Sequence, residues 1–263
     1  MSRSVLVTGA GSGIGEACVL RLARQGWQVA LVGRRREALE RVARQCDGLV
    51  LAGDAADSGN WVGFIEQVRA RFGGLDAVIA CAGGHGLGAA EQTSDSAWRE
   101  AMRSNLDSAF HTARACLPLL RERRGSLVLL GSIAALGAGP EVCGYTTAKH
   151  ALVGLTRSLA RDYGPFGVRV NCVCPGWVRT PMADKEMQAL MDHHQEDLDA
   201  AYRRVTADVP LRRPASSDEI AAVCQFLVGA EASIVTGAVI AADGGSTVVD
   251  VPTLAFTHLE PSA

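Results

Sequence analysis

The feature of this 263-residue chain that most constrains its fold is a regular alternation of short apolar runs with longer segments of helical periodicity. The runs are bounded by glycine and read SVLVTG, QVALVG, GLVLAG, LDAVIACAG, GSLVLLGS, VRVNCVCPG and AVIAADGG. Apolarity that is continuous along a run predicts strands covered on both faces. Strands that alternate with helices predict an α/β fold with a doubly wound, mostly parallel sheet and right-handed crossovers.

No linker or repeat divides the chain, so we expect one domain over residues 1–263, with the sheet between two helical layers in an α/β/α arrangement. A doubly wound sheet binds its ligands at the carboxyl ends of the strands, near the point where the strand order reverses. We therefore look for functional residues in the segments that directly follow the apolar runs.

The composition narrows the class of partner. Hydrophobic residues make up 48% of the chain and charged residues 21%, which is typical of a globular protein with a large core. The 26 basic and 28 acidic residues are well mixed, and the net charge is only −2. This balance points to neither nucleic acid nor an anionic membrane as a partner. We expect a small-molecule substrate.

The eight cysteines are spread along the chain, mostly in apolar runs, and none form a CxxC pair. Cys172 and Cys174 lie two positions apart on a predicted strand, which is not a spacing of the usual zinc motifs. We expect buried, reduced thiols. The first run follows almost directly on the first residue, and no stretch of about 18 uninterrupted apolar residues occurs, so we expect a cytoplasmic protein.

Two segments interrupt the alternation. Residues 177–216 form a long insertion between two predicted strands, with several prolines and a helical pattern of their own. Long insertions at the ligand end of a scaffold often form lids or binding loops, so we expect this one to contact the substrate. The tail at 246–263 contains the apolar residues Val248, Val249, Val251, Leu254 and Phe256. This content predicts a contact between subunits.

A glycine-rich turn follows the first predicted strand, in the stretch TGAGSGIGEA. Gly9, Gly13 and Gly15 have a GxxxGxG spacing, which differs from the common GxGxxG dinucleotide fingerprint. Glycine permits a close approach of the backbone to a pyrophosphate, which the amides of the following helix then bind. We predict a dinucleotide site here that includes Ser12 and Ile14, with a purely structural turn as the alternative.

The end of the second run predicts which dinucleotide binds. NAD sites usually offer a carboxylate to the ribose there, whereas this chain has GRRR at 33–36. Without that acid a 2′-phosphate is not repelled, and Arg34 can bind it through paired hydrogen bonds. NADP is therefore the preferred cofactor and NAD the alternative, unless the arginines only face solvent. We expect Asp54, after the third run, to accept a hydrogen bond from the adenine amino group.

The stretch GYTTAKH places Tyr145 and Lys149 four positions apart in a segment of helical periodicity. Such a step puts two side chains one above the other on a helix, so the Lys149 ammonium is expected near the phenol. A neighbouring positive charge favours the ionised phenol, and such a pair can exchange a proton at physiological pH. The alternative is a half-exposed tyrosine beside a solvated lysine.

Together these features resemble the short-chain dehydrogenase/reductase family. The matching motifs are TGAGSGIG at the first turn, CAGG after the fourth strand, SNL in the next helix, GS closing the fifth strand, YxxxK in GYTTAKH, PG at 175–176 and DGG at 243–245. They span nearly the whole chain. The resemblance implies a single Rossmann-like domain, usually assembled as a homotetramer, that transfers hydride between a nicotinamide cofactor and an alcohol or carbonyl carbon.

The resemblance also implies catalytic roles for four residues. Tyr145 matches the family's general acid/base, and Lys149 matches the lysine that stabilises the phenolate and binds the nicotinamide ribose. Ser132 matches the serine that holds the substrate oxygen, and Asn105 the asparagine that supports a water chain to the lysine. Each of the last two has a local alternative, since Ser132 can simply end a strand and Asn105 can occupy a helix bend.

The other cofactor-site residues implied by the resemblance are Ala55, Ala82, Gly83, Pro175, Gly176, Val178 and Thr180. Thr180 offers a hydroxyl to the cofactor, and Trp177 and Val178 begin the substrate wall. One departure lies at Ala80 and Cys81, where the family often has two asparagines. That difference removes polar contacts expected to support the central sheet and the adenosine side.

The leading functional hypothesis is an NAD(P)(H)-dependent oxidoreductase that interconverts a secondary alcohol and a ketone. The alternatives are a 3-oxoacyl-thioester reductase of the fatty-acid type and a non-catalytic nucleotide-binding protein on the same fold. Met182, Met187, Leu190 and Met191 in the insertion favour an apolar substrate without choosing one. No metal site is predicted, because the adjacent His193 and His194 point in different directions on a helix.

Overall fold

The seven apolar runs each form a strand of one fully parallel sheet in the computed structural model, which describes residues 2–256. The strands of these residues are β1 (Ser4–Thr8), β2 (Gln28–Gly33), β3 (Leu49–Ala52), β4 (Ala77–Ala80), β5 (Ser126–Leu130), β6 (Arg169–Pro175), β7 (Val178–Arg179), β8 (Ala215–Ser216) and β9 (Val239–Ala242). The order across the large sheet is β3-β2-β1-β4-β5-β6-β9. The predicted doubly wound parallel sheet is therefore confirmed.

The strand order reverses between β1 and β4, which lie side by side at the middle of the sheet. Val5 is in register with Val29 of β2 on one side and with Ala77 of β4 on the other. The chain leaves β1 toward one edge of the sheet and leaves β4 toward the opposite edge, so the segments after these strands open a crevice. Three of the predicted site residues, Gly9, Ala82 and Ser132, follow β1, β4 and β5 directly or within two positions.

Helices cover both faces of the sheet. They are α1 (Gly13–Arg24), α2 (Arg36–Ala43), α3 (Asn60–Phe72), α4 (Asp95–Met102), α5 (Ser108–Arg123), α6 (Cys143–Tyr163), α7 (Pro181–His194), α8 (Leu198–Val205) and α9 (Ser217–Val228). One core cluster joins the sheet to α3, α5 and α6, and a second joins it to α1, α2 and α9. These two clusters make the three α/β/α layers expected from the sequence.

Successive side chains of the central strand β1 enter the two cores in turn. Val5 and Val7 belong to the core on the α1 side, whereas Leu6 belongs to the core on the α3 side. All three are fully buried. Because both faces of the strand are covered, the three central positions are all apolar, and burying each such side chain contributes about 1.5–3 kcal/mol.

The insertion at 177–216 is closed at its base by two strands that the sequence did not predict. Val178 pairs with Ala215 and Arg179 with Ser216, so β7 and β8 form a separate parallel pair. Between them α7 and α8 pack on a small core of their own, in which Tyr202 is fully buried and donates a hydrogen bond from its hydroxyl to Asp184 at 2.8 Å. The insertion is thus a folded helical pair whose two ends are held together by β7 and β8.

The described part of the tail, up to residue 256, consists of two short 3₁₀ turns, Ser246–Val248 and Val251–Phe256. Val248, Val251 and Phe256 are 79%, 70% and 68% exposed. The remainder of the tail prediction, residues 257–263, lies outside the described residues. In the part of the chain that the structure describes, no helix has the length and apolarity needed to cross a membrane.

Candidate active site

The glycine-rich turn after β1 brings backbone atoms into close contact. Gly9 and Gly13 have positive φ angles of 65° and 55°. A Cβ atom at Gly15 would lie only 2.3 Å from the Gly9 carbonyl oxygen, and one at Gly9 would lie 3.0 Å from the Cys81 carbonyl oxygen. A side chain at Gly15 therefore cannot fit without a shift of the backbone. The GxxxGxG spacing corresponds to a turn folded tightly on itself beside the end of β4.

The first turn of α1 is open to an anion. Its N-cap residue is Ser12, whose side chain makes no capping hydrogen bond. The amide groups of this helix end thus have no side-chain partner from the cap, and such amides bind phosphate groups. The carboxylate of Glu16 in the same turn is neutralised by Arg41 at 2.6 Å. Ile14 packs against the core below the turn.

Two arginines follow β2 next to the glycine turn. Arg34 and Arg35 are both exposed, and Arg35 Nη2 lies 3.3 Å from Ser12 Oγ. The charge of Arg34 acts on the carboxyl of Asp54, whose pKa it helps to lower. One cation therefore borders the glycine turn and the other borders the end of β3. Sequence reasoning singled out Arg34, and the contact of Arg35 with Ser12 is an addition to it.

Asp54 lies just beyond β3 and is held by two donors. Arg103 Nη2 is 2.7 Å from Asp54 Oδ2, and the Ala56 amide donates to Asp54 Oδ1 at 2.9 Å. Burial opposes the charge of this carboxyl, but the Ala56 amide and the Arg103 guanidinium outweigh it and lower the pKa of Asp54. Asp54 is therefore an anionic acceptor at neutral pH, next to the buried Ala55.

Ala80 and Cys81 stand where the family often has two asparagines, and a residue of the neighbouring strand β1 supplies polar contacts there. Thr8 at the end of β1 is fully buried, and its hydroxyl accepts hydrogen bonds from the Cys81 amide at 3.0 Å and the Ala82 amide at 2.9 Å. Ala82 and Gly83 thus begin a loop that is fixed to β1. This threonine supplies the polar contact between the two central strands.

Tyr145 and Lys149 lie on one face of α6, as their spacing predicts. Lys149 is only 5% exposed, and its Nζ lies 5.5 Å from the centre of the Tyr145 ring. The ammonium donates a hydrogen bond to the Leu130 carbonyl oxygen at 2.9 Å. A buried ammonium is costly unless it is paired, so this bond holds Lys149 at the end of β5.

Ser132 follows β5 and lies two residues beyond that carbonyl group. Its hydroxyl oxygen accepts a hydrogen bond from the Ala134 amide at 3.1 Å and so begins a short 3₁₀ turn. A serine hydroxyl has one hydrogen to donate besides its acceptor sites. The O–H of Ser132 therefore remains able to bind an oxygen atom in the crevice.

Asn105 lies in a π-helical turn, Arg103–Asp107, between α4 and α5. It is 1% exposed, its Nδ2 donates to the Ala101 carbonyl oxygen at 3.1 Å, and its Oδ1 accepts from the Gly84 amide at 3.2 Å. A single π turn inside a helix is frequent at functional sites. It turns the amide of Asn105 toward the loop after β4, where a Cβ at Gly83 would lie 3.1 Å from Asn105 Oδ1 and 3.7 Å from Lys149 Nζ.

The residues after β6 connect the crevice to the insertion. Gly176 follows Pro175, and a Cβ there would lie 3.0 Å from Asp243 Cα. Val178 is 5% exposed, and the Thr180 hydroxyl oxygen accepts from the Ala183 amide at 3.2 Å as the N-cap of α7. A Cβ at Gly13 would lie 3.2 Å from the Thr180 methyl. Thr180 thus places the start of α7 against the glycine turn.

Two buried thiols lie behind the serine. Cys172 Sγ and Cys174 Sγ are 3.8 Å apart on β6, and a Cβ at Gly131 would lie within 2.9 Å of both. The contact with Cys174 and burial raise the pKa of Cys172, so Cys172 fills space as a neutral thiol. All eight cysteines are free, and five are buried. Within residues 2–256 there is no group of three His, Cys, Asp or Glu residues that could hold a metal ion.

The structure thus places Tyr145, Lys149 and Asn105 around the loop after β4, and Ser132 two residues beyond the carbonyl group that binds Lys149. Sequence reasoning missed Thr8 and Arg103. A polar residue at the end of an apolar run is a signal that points to Thr8. The pairing of Arg103 with Asp54, across 49 positions, leaves no local signal.

Known proteins resemble this chain over nearly its whole length. A family model described as Enoyl-(Acyl carrier protein) reductase matches residues 9–247. Protein MoaE of Klebsiella aerogenes is 49% identical over 258 residues, which cover 97% of this chain and 100% of that protein. The meso-2,3-butanediol dehydrogenase of Serratia marcescens is 32% identical over 252 residues, which cover 95% of this chain and 96% of that enzyme.

The fold matches solved structures equally well. An actinorhodin polyketide ketoreductase variant solved with NADPH superposes with a TM-score of 0.87 and 30% identity, covering 93% of this chain and 97% of its own. The motifs at the glycine turn and on α6, the parallel sheet and these matches agree. The chain belongs to the short-chain dehydrogenase/reductase family of oxidoreductases.

Proposed function

We propose that this protein interconverts a secondary alcohol and a ketone with NADP(H), and that Tyr145 is the general acid/base. The observation that carries this proposal is the buried Lys149 ammonium, held by the Leu130 carbonyl oxygen at 2.9 Å and 5.5 Å from the Tyr145 ring. A solvated surface pair would not bury a cation to 5% exposure. The burial therefore favours a catalytic pair.

The residues fit a dinucleotide phosphate. Gly9, Gly13 and Gly15 make room for a pyrophosphate against the first turn of α1, whose N-cap makes no side-chain hydrogen bond. Arg34 and Arg35 provide two exposed cations after β2 that would bind a 2′-phosphate, and the ionised Asp54 would accept a hydrogen bond from the adenine amino group. The actinorhodin ketoreductase variant with NADPH supports the choice of NADP, with NAD as the second cofactor to test.

When bound, the nicotinamide supplies or takes up the hydride at the substrate carbon. In the reductive direction the Tyr145 phenol gives its proton to the carbonyl oxygen, and the Ser132 hydroxyl donates a hydrogen bond to that oxygen as it gains negative charge. The Lys149 ammonium stabilises the negative charge left on the phenol oxygen. Asn105 fixes the loop after β4 beside Lys149, so that the pair keeps its position.

Experiment can distinguish this function from the two alternatives suggested by the sequence, a thioester reductase and a non-catalytic nucleotide-binding protein. A 3-oxoacyl-thioester reductase is favoured by the likeness to a polyketide ketoreductase, and a thioester substrate would separate it from a small-alcohol dehydrogenase. A non-catalytic nucleotide-binding protein would not require Ser132, Tyr145 and Lys149 together.

We also propose that the protein forms a homotetramer. Val251 and Phe256 in the tail are 70% and 68% exposed, and Ile234 is 92% exposed. Large apolar side chains at such exposure are typical of surfaces that associate. Light scattering coupled to size-exclusion chromatography tests this, and a monomer across micromolar concentrations would refute it.

A screen of ketones and alcohols, including 3-oxoacyl thioesters, with NADPH, NADH, NADP and NAD tests the proposed activity. We expect turnover with at least one small ketone or alcohol and a preference for the phosphorylated cofactor. Binding of NADPH without turnover of any compound would favour the non-catalytic alternative. Turnover confined to thioesters would assign the second candidate.

A further inference from the structure

A polar pair joins the two walls of the crevice near Tyr145. His85 Nδ1 lies 2.9 Å from Glu186 Oε1, and the side chains are 43% and 34% exposed. His85 belongs to the loop at 83–88 after β4, whereas Glu186 lies in the second turn of α7 in the insertion. The mechanism proposed above uses neither side chain.

Backbone contacts place this pair at the mouth of the crevice. The Tyr145 amide donates to the Gly86 carbonyl oxygen at 3.2 Å, and Asn105 Nδ2 lies 3.5 Å from the His85 carbonyl oxygen. His85 is therefore anchored directly beside two catalytic candidates. The opposite wall, α7, starts at Thr180 against the glycine turn. His85 and Glu186 thus connect the loop that contacts Tyr145 with the helix that contacts the glycine turn.

The pair has unused hydrogen-bonding capacity. Among the hydrogen bonds and ion pairs of residues 2–256, neither His85 Nε2 nor Glu186 Oε2 has a protein partner. A carboxylate favours a proton on the imidazole nitrogen that faces it, and the other nitrogen then accepts a hydrogen bond in the neutral ring or donates one in the cation. The free carboxylate oxygen only accepts. A hydroxyl group both donates and accepts, so it matches the pair in either state.

The polar pair of His85 and Glu186 lies among apolar side chains. The same loop and the same helix expose Leu87 and Met182, which are 63% and 41% exposed. The sequence alone favoured an apolar substrate on the methionines and leucine of the insertion. The His85 and Glu186 contact adds a polar requirement at one point of that lining.

We propose that His85 and Glu186 bind a second hydroxyl group of the substrate and so make the enzyme selective for hydroxyketones and diols over ketones and alcohols that lack it. This proposal rests on the proposed function. Because both side chains are partly exposed, water satisfies them when the hydroxyl is missing, and the selectivity is about tenfold rather than the far larger values of a fully buried polar pocket.

The test compares pairs of substrates that differ by one hydroxyl: 1-hydroxy-2-butanone with 2-butanone, and 2-hydroxycyclohexanone with cyclohexanone. We expect kcat/KM with NADPH to be about tenfold higher for the hydroxylated member of each pair. In His85→Ala and in Glu186→Gln this ratio falls toward one, chiefly through a higher KM for the hydroxyketone. His193→Ala and Asp192→Asn carry the same types of substitution on exposed positions of α7 and leave the ratio at the wild-type value.

The outcomes separate this inference from the proposed function. Turnover with a ratio that both variants leave unchanged, or equal losses for both substrates of a pair, would overturn the hydroxyl-binding role and leave the activity standing. Failure of the wild type to reduce any of the four ketones, while it turns over another compound of the screen, would overturn the inference and leave the activity standing. Binding of NADPH without turnover of any compound in the screen would overturn both. If thermal unfolding shows that His85→Ala does not fold, the more conservative Glu186→Gln decides the result alone.

Discussion

Replacing Gly86 with alanine tests whether Tyr145 is positioned by the loop after β4. A Cβ atom at Gly86 would lie 2.5 Å from the Tyr145 amide nitrogen and 3.0 Å from both Tyr145 Cα and Ala101 Cβ. The nearest of these atoms belongs to the backbone of α6 and cannot rotate away. Relief of the contact to an ordinary separation of about 3.5 Å therefore requires a shift of roughly 1 Å between the loop and the start of α6.

The expected loss follows from this shift. A misplacement of about 1 Å at a catalytic group can cost a factor of about 100 in rate, so we expect kcat to fall by roughly 10- to 100-fold. Forcing an extra methyl group into a packed contact costs about 1–3 kcal/mol in the free energy of unfolding. NADPH binding should change less than kcat, because the glycine turn and the arginines lie on other loops.

The assay is steady-state reduction of the best ketone from the screen, with urea unfolding and NADPH titration on the same protein. Gly63→Ala is the matched control, because a Cβ there meets no atom within 4 Å and the position lies inside α3. The control should unfold at slightly higher urea, by about 0.5–1 kcal/mol, with unchanged kcat. If Gly86→Ala kept kcat within about twofold and its unfolding free energy within about 0.5 kcal/mol of wild type, the positioning argument would be wrong.

Three further outcomes are expected. Tyr145→Phe should lower kcat by a factor of about 100 to 10,000 while NADPH still binds in a fluorescence titration, since only the proton is removed; full activity would exclude Tyr145 from the mechanism. Arg34→Ala should raise KM for NADPH by roughly 10-fold or more and leave KM for NADH nearly unchanged; an unaltered preference would show that the arginine only faces solvent. The Arg213 guanidinium and then the Ser216 amide lower the pKa of Glu219 from 4.5 to about 2, so its stabilising effect is present above pH 4.5 and is lost as pH falls toward 2. Because this pair is exposed, Glu219→Gln should cost only about 0.5–1 kcal/mol at pH 7 and nothing near pH 2, and a difference in urea unfolding that did not shrink with falling pH would contradict the ion pair.

The parallel sheet was predictable because its signal is local. Each strand buries both faces, so its run of Val, Ile and Leu is uninterrupted, as in β1, where Val5, Leu6 and Val7 are all fully buried. The strands β7 and β8 were not predictable, since two residues each carry no period. Their pairing depends on the tertiary fold, which brings positions 178 and 215 together.

Some features of the candidate site were also predictable from local sequence, whereas others depend on the tertiary fold. The Tyr145 and Lys149 pair follows from one turn of helix, and the glycine turn follows from spacing, so both could be read from the chain. The contacts that fix them are long-range: Lys149 is held by the carbonyl oxygen of Leu130, and Asp54 by Arg103. No local sequence pattern identifies a backbone carbonyl group or a helical arginine as a hydrogen-bond partner. These partners are determined only when the sheet has assembled.

The loop after β4 links these local and long-range features. Its Gly84 amide donates to Asn105 Oδ1 at 3.2 Å, its Gly86 carbonyl oxygen accepts from the Tyr145 amide at 3.2 Å, and its Gly88 amide donates to the Glu141 carbonyl oxygen at 2.6 Å. Alternate residues of this loop are thereby bonded to the π turn that contains Asn105, to the start of α6, and to a residue two positions before α6. His85, between two of these anchors, cannot move without them. The same backbone hydrogen bonds hold His85, which would bind a substrate hydroxyl, and Tyr145, the proposed proton donor. The positions of these two residues are therefore coupled.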